Sequence, residues 1–355
     1  MKVPSLPKDE AKFADLIQNE LCSHNIRCKR DSLGNLISFL KGNCKGAPCI
    51  LLNAHMDTVS PGENIKPKRR YGVITSDQKT ILGADNKAGV AVIMEIVEVL
   101  KEKMIPHGDI QIIFTVQEEI GLKGARAIKK QHIKADFGYV LDGGDVDVVH
   151  LRAPSQYNLF VEIIGRAAHA GMHPEQGINA IQVASRAIAK MKIGRIDSET
   201  TANIGVIHGG RATNIVPEKV EIKGEVRSHN PRKLKAELKH IQKCFSSECF
   251  KAKAQLKMKA DNVYNSFSLK KEDKVYKIAE NAFRRMKIKP ILKPTGGGSD
   301  ANIFNEMGIP SIIMGMGADR IHTKQERISE KDLLSAARIL LEIIKESCER
   351  KNAKK

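Results

Sequence analysis

Pro48-Cys49-Ile50-Leu51-Leu52-Asn53-Ala54-His55-Met56-Asp57 is the stretch on which the fold turns. Its first half is a short apolar run that reads as a buried strand, and titratable side chains follow directly after it. Downstream, Gly89 to Leu100 (GVAVIMEIVEVL) has a helical period that turns Ala91, Ile93, Met94, Ile96 and Val97 inward. Asp109 to Val116 (DIQIIFTV) reads as a second strand and Phe137 to Leu141 (FGYVL) as a third. Strands alternating with helices require crossover connections. The expected class is therefore α/β, a mostly parallel sheet flanked by helices whose ligands collect at the carboxyl ends of the strands.

After Ala153-Pro154 the rhythm changes. Strand Tyr157 to Ile164, helix Gly177 to Met191, strands Thr201 to Ile207 and Val220 to Val226, helix Pro231 to Phe245 and strand Ala254 to Lys259 give a βαββαβ order. That is the ferredoxin-like pattern of a compact α+β domain. The earlier rhythm resumes with helix Glu272 to Met286, the Gly296 to Gly298 turn, helix Asp300 to Met307, strand Ser311 to Met314 and helix Glu330 to Glu349. The expectation is a discontinuous first domain, 1–153 with 267–355, carrying an inserted α+β domain at 154–266.

Lys and Arg number 59 against 41 Asp and Glu, a net charge of +18 that attracts acidic partners. The basic residues are spread along the chain, from Lys66–Arg70 to the Lys351–Lys355 tail, and aromatics are only 4% with no Trp, so little is available to stack on bases. A solvated basic surface accounts for the charge, and nucleic acid is not the expected partner. No apolar run approaches the roughly 18 residues of a membrane span, and Met1-Lys2-Val3-Pro4 lacks the apolar stretch of a signal peptide, so a cytoplasmic location is expected. Seven cysteines without CxxC spacing read as reduced thiols.

Five segments place His or carboxylates just after expected strands. In Asn53-Ala54-His55-Met56-Asp57-Thr58-Val59, residues two apart in a strand share a face, so the Asp57 carboxylate can fix the tautomer of His55 for a metal. A satisfied surface histidine explains an isolated His-x-Asp as well. Asp85 lies in Gly83-Ala84-Asp85-Asn86-Lys87-Ala88-Gly89, where a helix cap would account for it without a metal. Gln117-Glu118-Glu119-Ile120-Gly121 puts two carboxylates side by side at a strand end, an arrangement that asks for a cation or a shared proton unless the turn is solvated. Leu141-Asp142-Gly143 and Ile321-His322-Thr323 complete the set. Each is weak alone. Together His55, Asp85, Glu119, Asp142 and His322 are what two metals with a shared carboxylate need, and imidazole with carboxylate suits Zn²⁺, with Mn²⁺ or Co²⁺ as substitutes. Glu118 is left over as the general base for hydrolysis by a metal-activated water.

NAHMDTV, GADNKAGVA, EEIGLKGA, the Asp142 segment, GRAAHAGMHPEQGINAI, GGRATNIVPEKVEIKGEVRS, GGGSDANIFNEMGIPSI and His322 together resemble the co-catalytic zinc exopeptidase family that includes peptidase T, carboxypeptidase G, succinyl-diaminopimelate desuccinylase and the aminoacylases. The resemblance covers nearly the whole chain. It implies two Zn²⁺ per subunit, with Asp85 bridging them, His55 and Asp142 completing one site, and Glu119 and His322 completing the other. It also implies Asp57 as the partner of His55, and Glu118 as the base acting on a hydroxide held between the metals. In the inserted domain it implies His169 as the oxyanion stabiliser, reaching across a dimer interface, and Asn214 and Arg227 as binders of a substrate carboxylate. A guanidinium fork matches a carboxylate bidentately. The inserted domain is then a lid and the homodimer interface.

Asp rather than Glu at 142, with TGGGSDAN and HAGMHPEQGINAI, is similar to the peptidase T branch, so short peptides, tripeptides in particular, are the expected substrates. An N-acyl-amino-acid deacylase or carboxypeptidase on the same site is the nearer alternative, and a basic nucleic-acid-binding protein with a vestigial site the remote one. The start of the chain, with Leu6-Pro7-Lys8-Asp9-Glu10 where the first helix of the family is already past, implies that this helix is missing and that the metal site does without it.

Overall fold

The computed structural model describes residues 1–349; the Lys351–Lys355 tail lies outside them. The chain divides into two compact units, Met1–Ala153 with Phe267–Lys355, and Pro154–Ser266.

In the larger unit an eight-stranded sheet runs in the order Cys28–Arg30, Leu36–Leu40, Ile110–Thr115, Ile50–His55, Phe137–Gly143, Ser311–Gly315, Val148–His150, Ile291–Leu292. The four strands from Ile110–Thr115 to Ser311–Gly315 are mutually parallel, and antiparallel pairs flank them. Every residue of Ile50–His55 and of Ile110–Thr115 is buried, because both faces of the sheet are covered. Ile50, Leu52, Ile112 and Phe114 join the core with helices Ala84–Glu102, Lys274–Arg285 and Glu330–Glu349, whereas Leu51 and Ile113 face Ala301 and Phe304 of helix Asp300–Glu306. Helix Ala84–Glu102 begins five residues earlier than its apolar pattern indicates, and Val90 and Val92 turn inward while Ala91 is exposed. It lies so close to the sheet that a Cβ on Gly89 would stand 2.6 Å from the Leu141 carbonyl oxygen and 3.1 Å from the Ala54 Cβ.

Two expectations are corrected here. A first helix is present at Ala11–Ser23, with Phe13, Ala14, Ile17 and Leu21 buried at helical spacing. Phe13, Ile17 and Leu21 each contribute about 1.5–3 kcal/mol on burial. Nor are all the cysteines reduced thiols: Cys44 and Cys348 form a disulfide across 304 residues, with Cα atoms 5.9 Å apart, while Cys22, Cys28, Cys49, Cys244 and Cys249 are free. Sequence spacing carries no signal for partners so far apart.

The smaller unit is an antiparallel sheet in the order Gly194–Arg195, Thr200–Gly209, Lys219–Ser228, Ser155–Ile164, Gln255–Tyr264. Leu159, Val161, Ile163, Val220, Ile222 and Val226 pack against Val183 of helix Ala180–Ala189 and Leu234, Ile241 and Phe245 of helix Pro231–Ala252. Asn179 and Asn230 cap these helices through their side chains, and Pro231 occupies a first-turn position where no backbone donor is needed. Among the described residues no helix is long and apolar enough to cross a membrane.

Candidate metal centre

The parallel strands deliver their functional side chains to one end of the sheet. His55 is the last residue of its strand, Asp142 the penultimate residue of Phe137–Gly143, and Glu118 and Glu119 follow Ile110–Thr115. His55 Nε2 stands 3.2 Å from Asp85 Oδ1 and 3.3 Å from Asp142 Oδ1. His322 Nε2 stands 3.3 Å from Asp85 Oδ2 and 2.9 Å from Glu119 Oε1. Each oxygen of Asp85 thus faces a different histidine. Its side chain caps no helix, and its backbone is non-helical at φ −82°, ψ 103°. Ligand atoms of His55, Asp85 and Glu119 lie within 4.8 Å of one another.

His55 Nδ1 donates to the Asp57 carbonyl oxygen at 2.9 Å, and the Asp57 carboxylate is farther, at 3.5 Å. The tautomer that leaves Nε2 facing the carboxylates is therefore set by the backbone of Asp57. The Asp57 carboxylate is taken up elsewhere: it accepts the N–H of Glu118 on Oδ1 at 2.9 Å and that of Glu119 on Oδ2 at 3.0 Å, and so fixes the turn carrying both glutamates.

So many charged groups in a buried space hold one another's protons. Burial works against charge on His55, yet Asp142, Asp57 and Asp85 raise it well above the ordinary histidine value. Asp85 stays below the usual carboxylate range in spite of burial, because His322 and His55 hydrogen-bond its charged form. Asp85 and Glu119 lift His322 to about 10. Burial pushes Asp142 up to about 7 and raises Glu118 well above the ordinary value, with Asp142, Asp300 and Glu119 adding repulsion at Glu118. Converging carboxylates of this kind demand positive charge, supplied by protons or by cations. Two imidazoles and three carboxylates are a donor set that fits borderline divalent metals.

Sequence reasoning missed two buried carboxylates beneath this cluster. Glu326 accepts the backbone N–H groups of Leu82 and Gly83 on Oε2 at 2.8 and 2.7 Å, and that of Asp85 on Oε1 at 2.9 Å, cradling the loop that presents Asp85. Asp300, raised to about 6 by burial, accepts from the Thr115 hydroxyl and from Asn53 Nδ2 at 3.4 Å, and its Oδ1 has no hydrogen-bond partner among the described residues. The quoted GGGSDAN motif contained the signal for Asp300; four residues beyond His322, Glu326 had none.

The other three candidates lie in the smaller unit. His169 is exposed, and its Nδ1 accepts the N–H of Gly171 at 3.2 Å and of Met172 at 3.1 Å, so Nε2 carries the ring proton. The Asn214 carbonyl accepts from Ala170 N–H at 3.0 Å, which brings the two loops together. Arg227 is half-buried, its guanidinium forked onto Glu225 of its own strand at 2.9 and 3.0 Å.

His55, Asp142 and the Glu118–Glu119 turn at the carboxyl ends of parallel strands, joined by Asp85 and His322, form a donor set of the kind that serves metal-dependent hydrolases. Residues 51–346 match the model of peptidase family M20/M25/M40. The chain is 40% identical to a crystal structure of aminopeptidase PepT from Bacillus cereus ATCC 10987, over 98% of this chain and 95% of that one, with a TM-score of 0.89. It is 38% identical to a tripeptidase from Staphylococcus aureus Mu50 at the same coverage, with a TM-score of 0.94. Peptidase T of Escherichia coli K12 is 28% identical over 79% of this chain and 69% of that protein. The chain belongs to peptidase family M20/M25/M40, on its peptidase T side, and is a peptide hydrolase.

Proposed function

We propose that the chain is a dinuclear metal-dependent aminopeptidase that hydrolyses short peptides, tripeptides foremost. Asp85 carries the reading, since each of its oxygens faces a different histidine at 3.2 and 3.3 Å. In it His55, Asp85 and Asp142 hold one ion and Asp85, Glu119 and His322 the other; Zn²⁺ suits both, with Co²⁺ or Mn²⁺ as substitutes. Bound there, such ions polarise a carbonyl and lower the pKa of water. Glu118 takes the proton of the attacking water and passes it to the leaving amine. Asp57 keeps the base in place through the two N–H groups it accepts.

His169, with its proton on Nε2, has the donor an oxyanion requires. Arg227 and Asn214 are assigned to the substrate carboxylate, which would replace or share Glu225 on the guanidinium fork. The reading includes a homodimer formed by the smaller unit. Supporting it, among the described residues strand Thr200–Gly209 is paired on its outer side only at Thr201 and Ala202, and beyond that stretch Val206 and Ile207 are exposed. The tripeptidase and aminopeptidase relatives support the substrate class.

The test is Glu118→Ala, assayed with a tripeptide and its N-acetylated form. We expect retained metal and a loss of turnover of about 10²–10⁴-fold; an unchanged rate sinks the assignment. Wild-type cleavage of the acetylated form alone would move the reading to a deacylase.

A further inference from the structure

The first residues of the chain hydrogen-bond to three of the segments that build the metal centre, those carrying His55, Asp85 and the Glu118–Glu119 turn. Lys87 Nζ, two residues past Asp85, donates to the Val3 carbonyl at 2.5 Å and lies over the Phe13 ring, 4.8 Å from its centroid. Ser5, with no exposed surface, donates from Oγ to the Met56 carbonyl at 2.8 Å, and its own carbonyl accepts Thr58 N–H at 3.0 Å. Asp57 is thereby held on both sides. Glu10, 4% exposed, accepts Gln117 N–H on Oε1 at 3.0 Å. Gln117 has a φ of 54°, a left-handed conformation that non-glycine residues adopt only when held, and it immediately precedes Glu118 and Glu119.

Glu10 stands at the N-terminal boundary of helix Ala11–Ser23 and does not cap it, so its carboxylate is directed to another segment. A buried carboxylate is costly unless it is hydrogen-bonded, and the Glu10 carboxylate is met by the backbone of Lys8 and Glu10 on its own side and by Gln117 across the fold.

We propose that Ser5 and Glu10 are positioning residues of the hydrolytic site: Ser5 fixes Asp57 through Met56 and Thr58, and Glu10 fixes the base turn through Gln117. The proposal rests on the catalytic role given to Glu118 above. The backbone of Glu118 is held from two directions, by Glu10 through the preceding residue and by Asp57 directly. Releasing the first leaves the ligands present but loosens the angle at which the base meets its water. Misplacement of about 1 Å far from the chemistry costs on the order of 10²-fold, and losing a residue that orients metal ligands about 10–100-fold in metal affinity or activity.

Ser5→Ala, Glu10→Ala and Glu10→Gln are compared with wild type for kcat and KM on a tripeptide, for zinc affinity against a competing chelator, and for the Tm of the metal-free protein. Glu10→Ala is expected to lower kcat at least about tenfold with KM within about twofold, and to weaken zinc binding by about tenfold. Glu10→Gln keeps an acceptor for Gln117 and should recover most of the loss. Ser5→Ala removes one hydroxyl and should show a smaller loss of the same kind even if Glu10→Ala folds poorly. Wild-type kcat and zinc affinity in Glu10→Ala overturn the proposal, as does a loss that merely tracks the folded fraction or is equal in Ala and Gln. If wild type itself leaves tripeptides uncut, the catalytic reading fails separately, and zinc affinity alone decides whether Ser5 and Glu10 position the site.

Discussion

The two units hold their functional candidates in opposite ways. In the larger one, five ligand candidates come from five separate segments, yet their reacting atoms stand 2.9–3.3 Å from a neighbour in the set. In the smaller one, His169 and Asn214 share a loop contact, while Arg227 is already forked onto Glu225. A parallel sheet explains the placing of His55, Asp142 and Glu119, because its central strands end on one side, and Asp85 and His322 are brought to them by helix Ala84–Glu102 and the turn after Ala318–Asp319. An antiparallel sheet sends successive strand ends to opposite sides. It gathers no such cluster, and its candidates are single groups suited to binding.

The difference predicts a ranking of effects. Asp85→Ala should be the most severe substitution, removing metal and activity together, since both histidines lose the oxygen they face; metal analysis beside a tripeptide assay checks it. A variant that kept both metals would break the contrast at its centre. Arg227→Ala should act on binding, raising KM by about tenfold or more with a small change in kcat, because it removes a charge-assisted pair to substrate and leaves the chemistry alone. A kcat loss as large as that of Glu118→Ala would erase the distinction between the units.

The smallest effect concerns pH. In the metal-free protein Asp142 at about 7 and Asp300 at about 6 keep protons that the unfolded chain releases near pH 4, so their contribution to stability is lost as pH rises through those values. His322, raised to about 10, contributes stability that is full below about 6.5 and lost as pH climbs toward 10. Asp85 acts in the other sense, but only as pH falls below about 4. The metal-free Tm should therefore decline by a few degrees between about pH 5 and pH 9, and zinc should reverse the trend by replacing protons with cations. A flat profile without metal would mean that the carboxylates do not share charge as described.

The candidate ligand set was legible where chemistry and topology agreed, His55, Asp142 and Glu119 standing at or just past the ends of buried strands; Asp85, expected after a strand, instead lies at the start of helix Ala84–Glu102, and His322 in a turn after the short strand Ala318–Asp319. The supports were not. Glu326 and Glu10 act through backbone N–H groups of residues 241–244 and 107 positions away, and a backbone amide leaves no mark on the sequence. Asp57 was read correctly as a neighbour of His55, but its carboxylate serves the glutamate turn more closely than the imidazole. Helix Ala11–Ser23 was visible in the spacing of Phe13, Ile17 and Leu21, and the expectation that it is missing gave too much weight to the start of the chain and too little to that period. Cys44 and Cys348 show the limit most plainly, since only a closed tertiary structure brings them together.

The central claim is that Asp85 stands between two metals. Anomalous diffraction from zinc-loaded crystals, recorded at the zinc edge, tests it directly. The account predicts two peaks per chain, one among His55, Asp85 and Asp142 and the other among Asp85, Glu119 and His322. A single peak, or peaks away from Asp85, would contradict it.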